Sequence, residues 1–309
     1  MDRFIVTNAP FVHGKNDINK MFLYISIALV VPAIYGVLLF GMNSLLLIAV
    51  SIASCLISEM LYNLITTKKV FVNNFSFFVT AMILALSLPY KTPIYVVVAS
   101  AFFSIFVVKM VFGGLGLNKF NPANAGRCLA GIIVPHLSTE LYTFTLNGEV
   151  MTSITAGGTN TILNLLAGEA VGGIGTTHVL VILICFVILV YSGVIDFKIP
   201  FFAIISYFLT AYLLVGLESA LINICSGSFL FVTVFMMTDP NTSPDTFLGK
   251  FLYAVLFGLL SAIIWVDGSL GESTVFVVAL FVNIFVPFMD KYLVIRPVAL
   301  GGFRNAHKK

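Results

Sequence analysis

Two acidic side chains stand inside long apolar runs: Glu59, within residues 44 to 65, and Asp239, in Met237-Thr-Asp-Pro240 at the end of another run. A carboxylate in hydrocarbon is costly to desolvate and by default marks an ion pathway. Glu59 also lies two turns from Lys68 and Lys69 and can pair or snorkel, while Asp239 can cap a helix, so a structural role stands beside the ionic one for both. A third candidate is Phe112-Gly-Gly-Leu-Gly-Leu-Asn-Lys-Phe-Asn-Pro-Ala-Asn-Ala-Gly-Arg127. Its glycines let backbone approach a ligand closely, and Asn121-Pro122 opens a helix whose free N–H groups suit an anion or a flavin carbonyl; the competing reading is a tight turn capped by Asn121. A fourth is Thr155-Ala-Gly-Gly-Thr159-Asn-Thr161, where Gly157 and Gly158 expose a threonine hydroxyl, although by composition it is simply a turn. His13, His136, His178 and His307 have no metal-ligand spacing. Cys55, Cys128, Cys185 and Cys225 lie in apolar runs without a CxxC pattern and read as small packed hydrophobes.

The elements that must position these residues are membrane helices. The chain is 60% apolar, 14% aromatic and only 9% charged over 309 residues, which excludes a water-soluble domain with a polar surface. Ten segments are apolar enough to enter a hydrocarbon core about 30 Å thick: 21 to 40, 44 to 65, 73 to 88, 93 to 112, 121 to 135, 178 to 194, 198 to 217, 219 to 237, 249 to 266 and 273 to 290. Continuous runs such as Ile94 to Met110 show no in/out alternation, so helices rather than a barrel follow.

Of the 16 Lys and Arg, all but Lys91 fall on one set of alternating connections or on the termini. Both termini are therefore expected in the cytoplasm, with Lys109, Lys119 and Arg127 counted to the fourth connection. The opposite connections carry Glu140, Glu149, Glu169, Glu218, Asp267 and Glu272, which places the 136–177 segment outside. Asp290-Lys291 reads as an interface anchor. The first 20 residues are polar and lack a cleavage site, so the first span is expected to remain in the mature protein. A net charge of +3 without a long basic run gives no sign of nucleic-acid binding.

Residues 77–135 and 230–287 overlay as a repeat. Phe78-Val-Thr80 answers Phe231-Val-Thr233, Pro89 and Pro93 answer Pro240 and Pro244, Gly113-Gly-Leu-Gly116 answers Gly268-Ser-Leu-Gly271, and Val134-Pro135 answers Val286-Pro287. The copies start five spans apart and so run in opposite senses across the membrane, an inverted repeat with its expected site between the halves. The organisation expected is all-α and polytopic: a cytoplasmic segment 1–20, a five-helix half 21–135, an external loop 136–177, a second half 178–290 and a cytoplasmic tail 291–309.

At these residues the chain resembles the D subunit of the Rnf electron-transport complexes, and more distantly the B subunit of the sodium-pumping NADH:quinone reductase, over nearly its whole length. The resemblance rests on Asn8-Ala-Pro-Phe-Val-His13, Leu84-Ala-Leu-Ser-Leu-Pro89, Phe112-Gly-Gly-Leu-Gly, Asn121-Pro-Ala, Gly126-Arg127, Gly172-Gly-Ile-Gly175, Thr238-Asp-Pro240 and Val286-Pro-Phe-Met-Asp290. Lack of a long N-terminal extension points within that family to the Rnf member. The resemblance implies FMN joined through its phosphate to a threonine, here Thr159, in a motif reading roughly Asp-x-x-(Ser/Thr)-Gly-Ala-Thr. Ser153, Ala156 and Gly158 depart from that pattern.

The resemblance further implies a non-covalent flavin, riboflavin in class, near Asn121, and electron relay coupled to Na+ or H+. It implies as partners the A, B, C, E and G subunits of an Rnf complex, the external FMN-bearing G subunit above all, and a flavin-attaching transferase. The chain itself has neither an Fe–S cysteine pattern nor GxGxxG for NAD, so it is expected to be one part of an oxidoreductase and not a complete enzyme. Two rival classes fit parts of the pattern: a solute permease of urea- or ammonium-transporter type, which would carry no flavin, and a scaffold protein that has lost its cofactor.

Overall fold

The computed structural model describes residues 18–68, 75–134, 144–146, 149–151, 165–166, 168, 172–225, 228–267 and 273–293. Each of the ten apolar segments read from the sequence is predominantly helical where it is described. In chain order the helices are α1 (Ile18–Phe40), α2 (Met42–Thr67), α3 (Ser76–Ser87), α4 (Ile94–Val111) and α5 (Pro122–Ile133). After a hairpin of two three-residue strands, β1 (Phe144–Leu146) and β2 (Glu149–Met151), come α6 (Val179–Tyr191), α7 (Lys198–Val215), α8 (Leu217–Cys225), α9 (Ser228–Met236), α10 (Phe247–Asp267), α11 (Thr274–Asn283) and α12 (Val286–Tyr292). The molecule is an all-α polytopic membrane protein, and the hairpin is a minor addition that the sequence pattern does not announce.

Helix length separates two kinds of element. Among the described residues, six stretches are long and apolar enough to cross a bilayer: α1, α2, α4, α7, α10 and α11 with α12. The α8–α9 pair, bent by 57°, makes a seventh if taken as one span. By contrast α3 and α5 have 12 residues each and α6 has 13. At 1.5 Å per residue, 12 residues reach only about 18 Å, so α3 and α5 end inside the apolar layer. The sequence explains why: Pro89 and Pro93 prevent α3 from running on, and Asn121-Pro122 sets the start of α5, with Asn121 Oδ1 accepting from the Asn124 backbone N–H.

The apolar interior runs through both halves and includes Leu84, Leu86, Val96, Ile105, Tyr207, Phe231, Phe257 and Phe276. Helices draw close where glycine removes a side chain, as membrane helices require when packing must replace the hydrophobic effect. A Cβ on Gly126 of α5 would overlap Ser104 Oγ and the Ser100 carbonyl of α4. A Cβ on Gly258 of α10 would overlap the Ala203 carbonyl and the Tyr207 backbone of α7. The second contact involves backbone that cannot rotate away, so Gly258→Ala is expected to destabilise the protein by roughly 1–3 kcal/mol, the usual range for overpacking. A lowered thermal unfolding midpoint in detergent checks this, and an unchanged midpoint would mean that the α7–α10 contact is slack.

Candidate functional site

A helix that ends in the apolar layer exposes carbonyls that no water satisfies. The last carbonyls around α3 are closed from two directions. Gly175 N–H donates to the Leu86 carbonyl at 2.8 Å and Ile174 N–H to the Leu88 carbonyl at 2.9 Å. Between them, Arg127 Nε donates to the Ser87 carbonyl at 3.0 Å. Gly172-Gly-Ile-Gly175 thus lies as a strip along the helix end. Glycine is required there, because a Cβ on Gly173 would strike the Ser87 backbone and one on Gly175 the Leu86 side chain.

Arg127 is 0% exposed. Its guanidinium reaches from α5 to the opening of α11, donating from one terminal nitrogen to Ser273 Oγ at 3.4 Å and lying 4.6 Å from the centre of the Phe276 ring. The second broken pair is arranged reciprocally. The carbonyl of Met236, at the end of α9, accepts from Asn121 Nδ2 at 3.2 Å, and the same nitrogen lies 3.4 Å from Asp239 Oδ2. The C-terminal carbonyls of α3 and α9 are therefore both met by side chains of α5, Arg127 at the first and Asn121 at the second.

Asp239 also accepts from the Asn241 backbone N–H and from Thr242 Oγ1 at 3.1 Å, so its carboxylate organises the turn after α9. It forms part of the wall of a partly open cleft. Phe22, Ile25, Val79, Ile83, Val234 and Phe235 supply apolar sides, and Ser76, Thr80, Lys109, Asn118, Asn121 and Thr238 a polar margin. Asn118 Oδ1 is buried there without a partner among the described residues. Asn121, the flavin contact expected from sequence, lines the cleft but has its amide committed to the α5 cap and to α9.

Glu59 pairs with Lys109 and not with Lys68, while Lys69 lies outside the described residues. Lys109 Nζ lies 2.7 Å from Glu59 Oε2 and 2.6 Å from Ser76 Oγ, and both charged side chains are nearly inaccessible. The π-helical second half of α4, Phe103–Val111, carries Lys109. This junction ties α2, α3 and α4 together at the cleft. It also corrects the charge pattern: Lys109 and Arg127 were counted to a connection, yet both are buried within helices. The Gly113-Gly-Leu-Gly116 stretch is a chain reversal in which Gly113, Gly114 and Gly116 take φ of +112°, +89° and +87°, and Gly114 N–H closes the Lys109 carbonyl. Thr159, Gly157 and Gly158 lie outside the described residues, as do His13, His136 and His307. Among the described residues no group of His, Cys, Asp or Glu could hold a metal ion.

Sequence reasoning missed Ser87, Asn118, Ser273 and the role of Gly172–Gly175. The glycine spacing was visible, but the helix end that needs it was not. A second hollow beside Asp196 and Lys250 shares Ile195, Thr238 and Pro240 with the cleft. Asp196 accepts from Lys250 Nζ at 2.9 Å and from the Lys198 backbone N–H at 3.1 Å.

Short helices that end among the long apolar ones, with a polar cleft beside one of those ends, define a polytopic all-α membrane protein. Within that class, a family model described as the NQR2, RnfD, RnfE family matches residues 5–299, and the chain belongs to that family. It is 30% identical to the D subunit of the Na(+)-translocating ferredoxin:NAD(+) oxidoreductase complex of Acetobacterium woodii, over 93% of this chain and 92% of that protein. It is 26% identical to the proton-translocating counterpart of Clostridium ljungdahlii, over 96% of both. It is 29% identical to the B subunit of the Na(+)-translocating NADH-quinone reductase of Pseudomonas aeruginosa, over 72% of this chain and 60% of that protein.

Two outcomes follow from this geometry. Removing one partner of a buried ion pair strands the other, at a typical cost of about 3–5 kcal/mol. Glu59→Gln and Lys109→Met should each lower the unfolding midpoint strongly, and the double variant should recover much of the loss; additive losses in this cycle would show that the two charges do not support one another. At Asp196, partial burial raises the carboxyl pKa, but the Lys250 hydrogen bond, the Lys198 N–H and both ammonium charges outweigh it and hold the group below its ordinary 3.8. The clamp's stabilisation is complete above the unfolded-state value and disappears as pH falls through the lower folded one. The stability gap between the native chain and Asp196→Asn should therefore close on acidification below about pH 4, and a gap that stays constant with pH would show that the charge contributes nothing.

Proposed function

We propose that this chain is the membrane flavoprotein subunit of an Rnf-type ferredoxin:NAD oxidoreductase, holding FMN as a phosphoester on Thr159 Oγ1 and relaying electrons between its partners with coupling to Na+ or H+. The observation that carries the reading is the family match over residues 5–299, joined to the Gly157-Gly-Thr159 core at the family's attachment position. The partners are the A, B, C, E and G subunits of the complex, with the G subunit on the outer side, and a flavin-attaching transferase. The protein sits in a bacterial or archaeal cytoplasmic membrane with both termini inside. Even without Lys109 and Arg127, the remaining basic residues other than Lys91 stay on one set of connections.

The cleft's residues suit a second, non-covalent flavin such as riboflavin. Its apolar sides match a flat aromatic ring system, and Asn118 Oδ1, buried without a partner among the described residues, is an acceptor suited to a ring N–H. A bound flavin supplies one-electron exchange. The chain's part is to exclude water with Phe22, Ile25, Val79 and Phe235, to accept the N–H at Asn118, and to hold the wall in place through Asn121 and Asp239. Glu59 and Asp239 are the carboxylates through which local ion coupling would act.

The test is ultraviolet fluorescence of the full chain on a denaturing gel after expression with a flavin-attaching transferase, followed by peptide mass analysis. The native chain should fluoresce and carry FMN mass on the Thr159 peptide, and Thr159→Ala should be dark while still assembling. Persisting fluorescence in Thr159→Ala would move the attachment to Thr155 or Thr161; a dark native chain would favour the flavin-free scaffold.

A further inference from the structure

The two crossings of broken helices are equivalent in construction and different in content. Where α9 meets α5, the Met236 carbonyl accepts from the Asn121 amide, and Asn121 and Asp239 line a cleft. At the α3–α11 crossing the corresponding groups are the Ser87 carbonyl, the Ser273 hydroxyl and the Phe276 ring face, and the Arg127 guanidinium lies among them. A carbonyl at a helix C-terminus, a hydroxyl and an aromatic face are the groups that bind a small cation in a low-dielectric interior. Here the cation is covalently part of the chain. Arginine suits the task because it does not lose its proton in proteins and its planar fork can donate to two helices at once.

We propose that Arg127 is a built-in cation that fills the helix-end site of the α3–α11 crossing and bars soluble cations from it, making Arg127 a specificity-determining residue for ion access to the centre of the protein. The groups around it carry the argument. Ser87 would otherwise present a helix-end carbonyl with the negative end of the α3 dipole behind it. The inference concerns ion access alone and does not depend on whether Thr159 carries a flavin.

The test compares the native full chain, Arg127→Ala and Arg127→Lys, purified in detergent and titrated with guanidinium chloride at low millimolar concentration, with urea and choline chloride as controls. Arg127→Ala should have a lowered unfolding midpoint that guanidinium restores saturably and the two controls do not. The native chain and Arg127→Lys, whose sites are already filled, should show no such restoration. In proteoliposomes, Arg127→Ala should admit Na+ or K+ at least about tenfold faster than the native chain, and guanidinium should block that leak. Where Arg127→Ala is not recovered folded, Arg127→Gln, which keeps amide donors toward Ser87 and Ser273 but no charge, carries the same flux measurement. A folded neutral variant without restoration or leak would overturn the proposal, as would Arg127→Lys leaking as fast as the neutral variants, because a purely structural residue would behave that way.

Discussion

Peptide groups left open at a helix end cannot be abandoned in a medium without water, and the centre of this protein is organised around that constraint. The helices α3, α5, α9 and α11 all begin or end among other helices. Their carbonyls and N–H groups are closed by three unlike devices: the backbone of Gly173–Gly175, the Asn121 amide and the Arg127 guanidinium. The last two come from α5 and the first from the connection entering α6. The glycine strip must lie flat against α3, which is why the connection entering α6 carries glycines where a connection over the surface would tolerate any residue. The whole centre is thus fixed by hydrogen bonds, with apolar packing filling the space around them.

The same constraint accounts for the charges. A buried lysine or arginine is tolerated in an apolar layer where its donors are used. Lys109 directs its ammonium to Glu59 and Ser76, and Arg127 directs its guanidinium to the α3 and α11 termini. One joins helices within a half and the other joins the halves. Their neighbourhoods differ accordingly, because the Glu59–Lys109 pair is neutral in sum and lies at the cleft, whereas Arg127 meets dipoles and a ring.

Much of this was legible from residue types. The apolar runs gave the helical segments and prolines such as Pro89 gave their ends, because chain-breaking residues act locally and keep their meaning wherever they occur. Asn121 was readable as a cap for the same reason. Lys109 and Arg127 were not readable in this way, since a charge near the end of an apolar run looks the same whether it faces water or a partner on another helix. Glu59 reads from sequence either as an ion-pathway carboxylate or as a partner of Lys68 or Lys69, and neither reading points to Lys109, which the fold brings across from 50 positions away. Ser87, Ser273 and Asn118 carry no signal in isolation. Their importance comes from standing at places where helices cross, and only the fold creates those places.

The bridge from Arg127 to Ser273 spans 146 positions of sequence. At ribosomal speeds of about 5–20 residues per second, that separation amounts to roughly 7–30 s of synthesis. For that interval the first five helices exist without the one that completes their centre, and Arg127 has only the α3 end to hold it. The assembly line therefore contains a stage at which a guanidinium sits in a half-built apolar layer, waiting for a helix that has not been made. Whatever receives this chain during insertion must shelter that charge until α11 has been made.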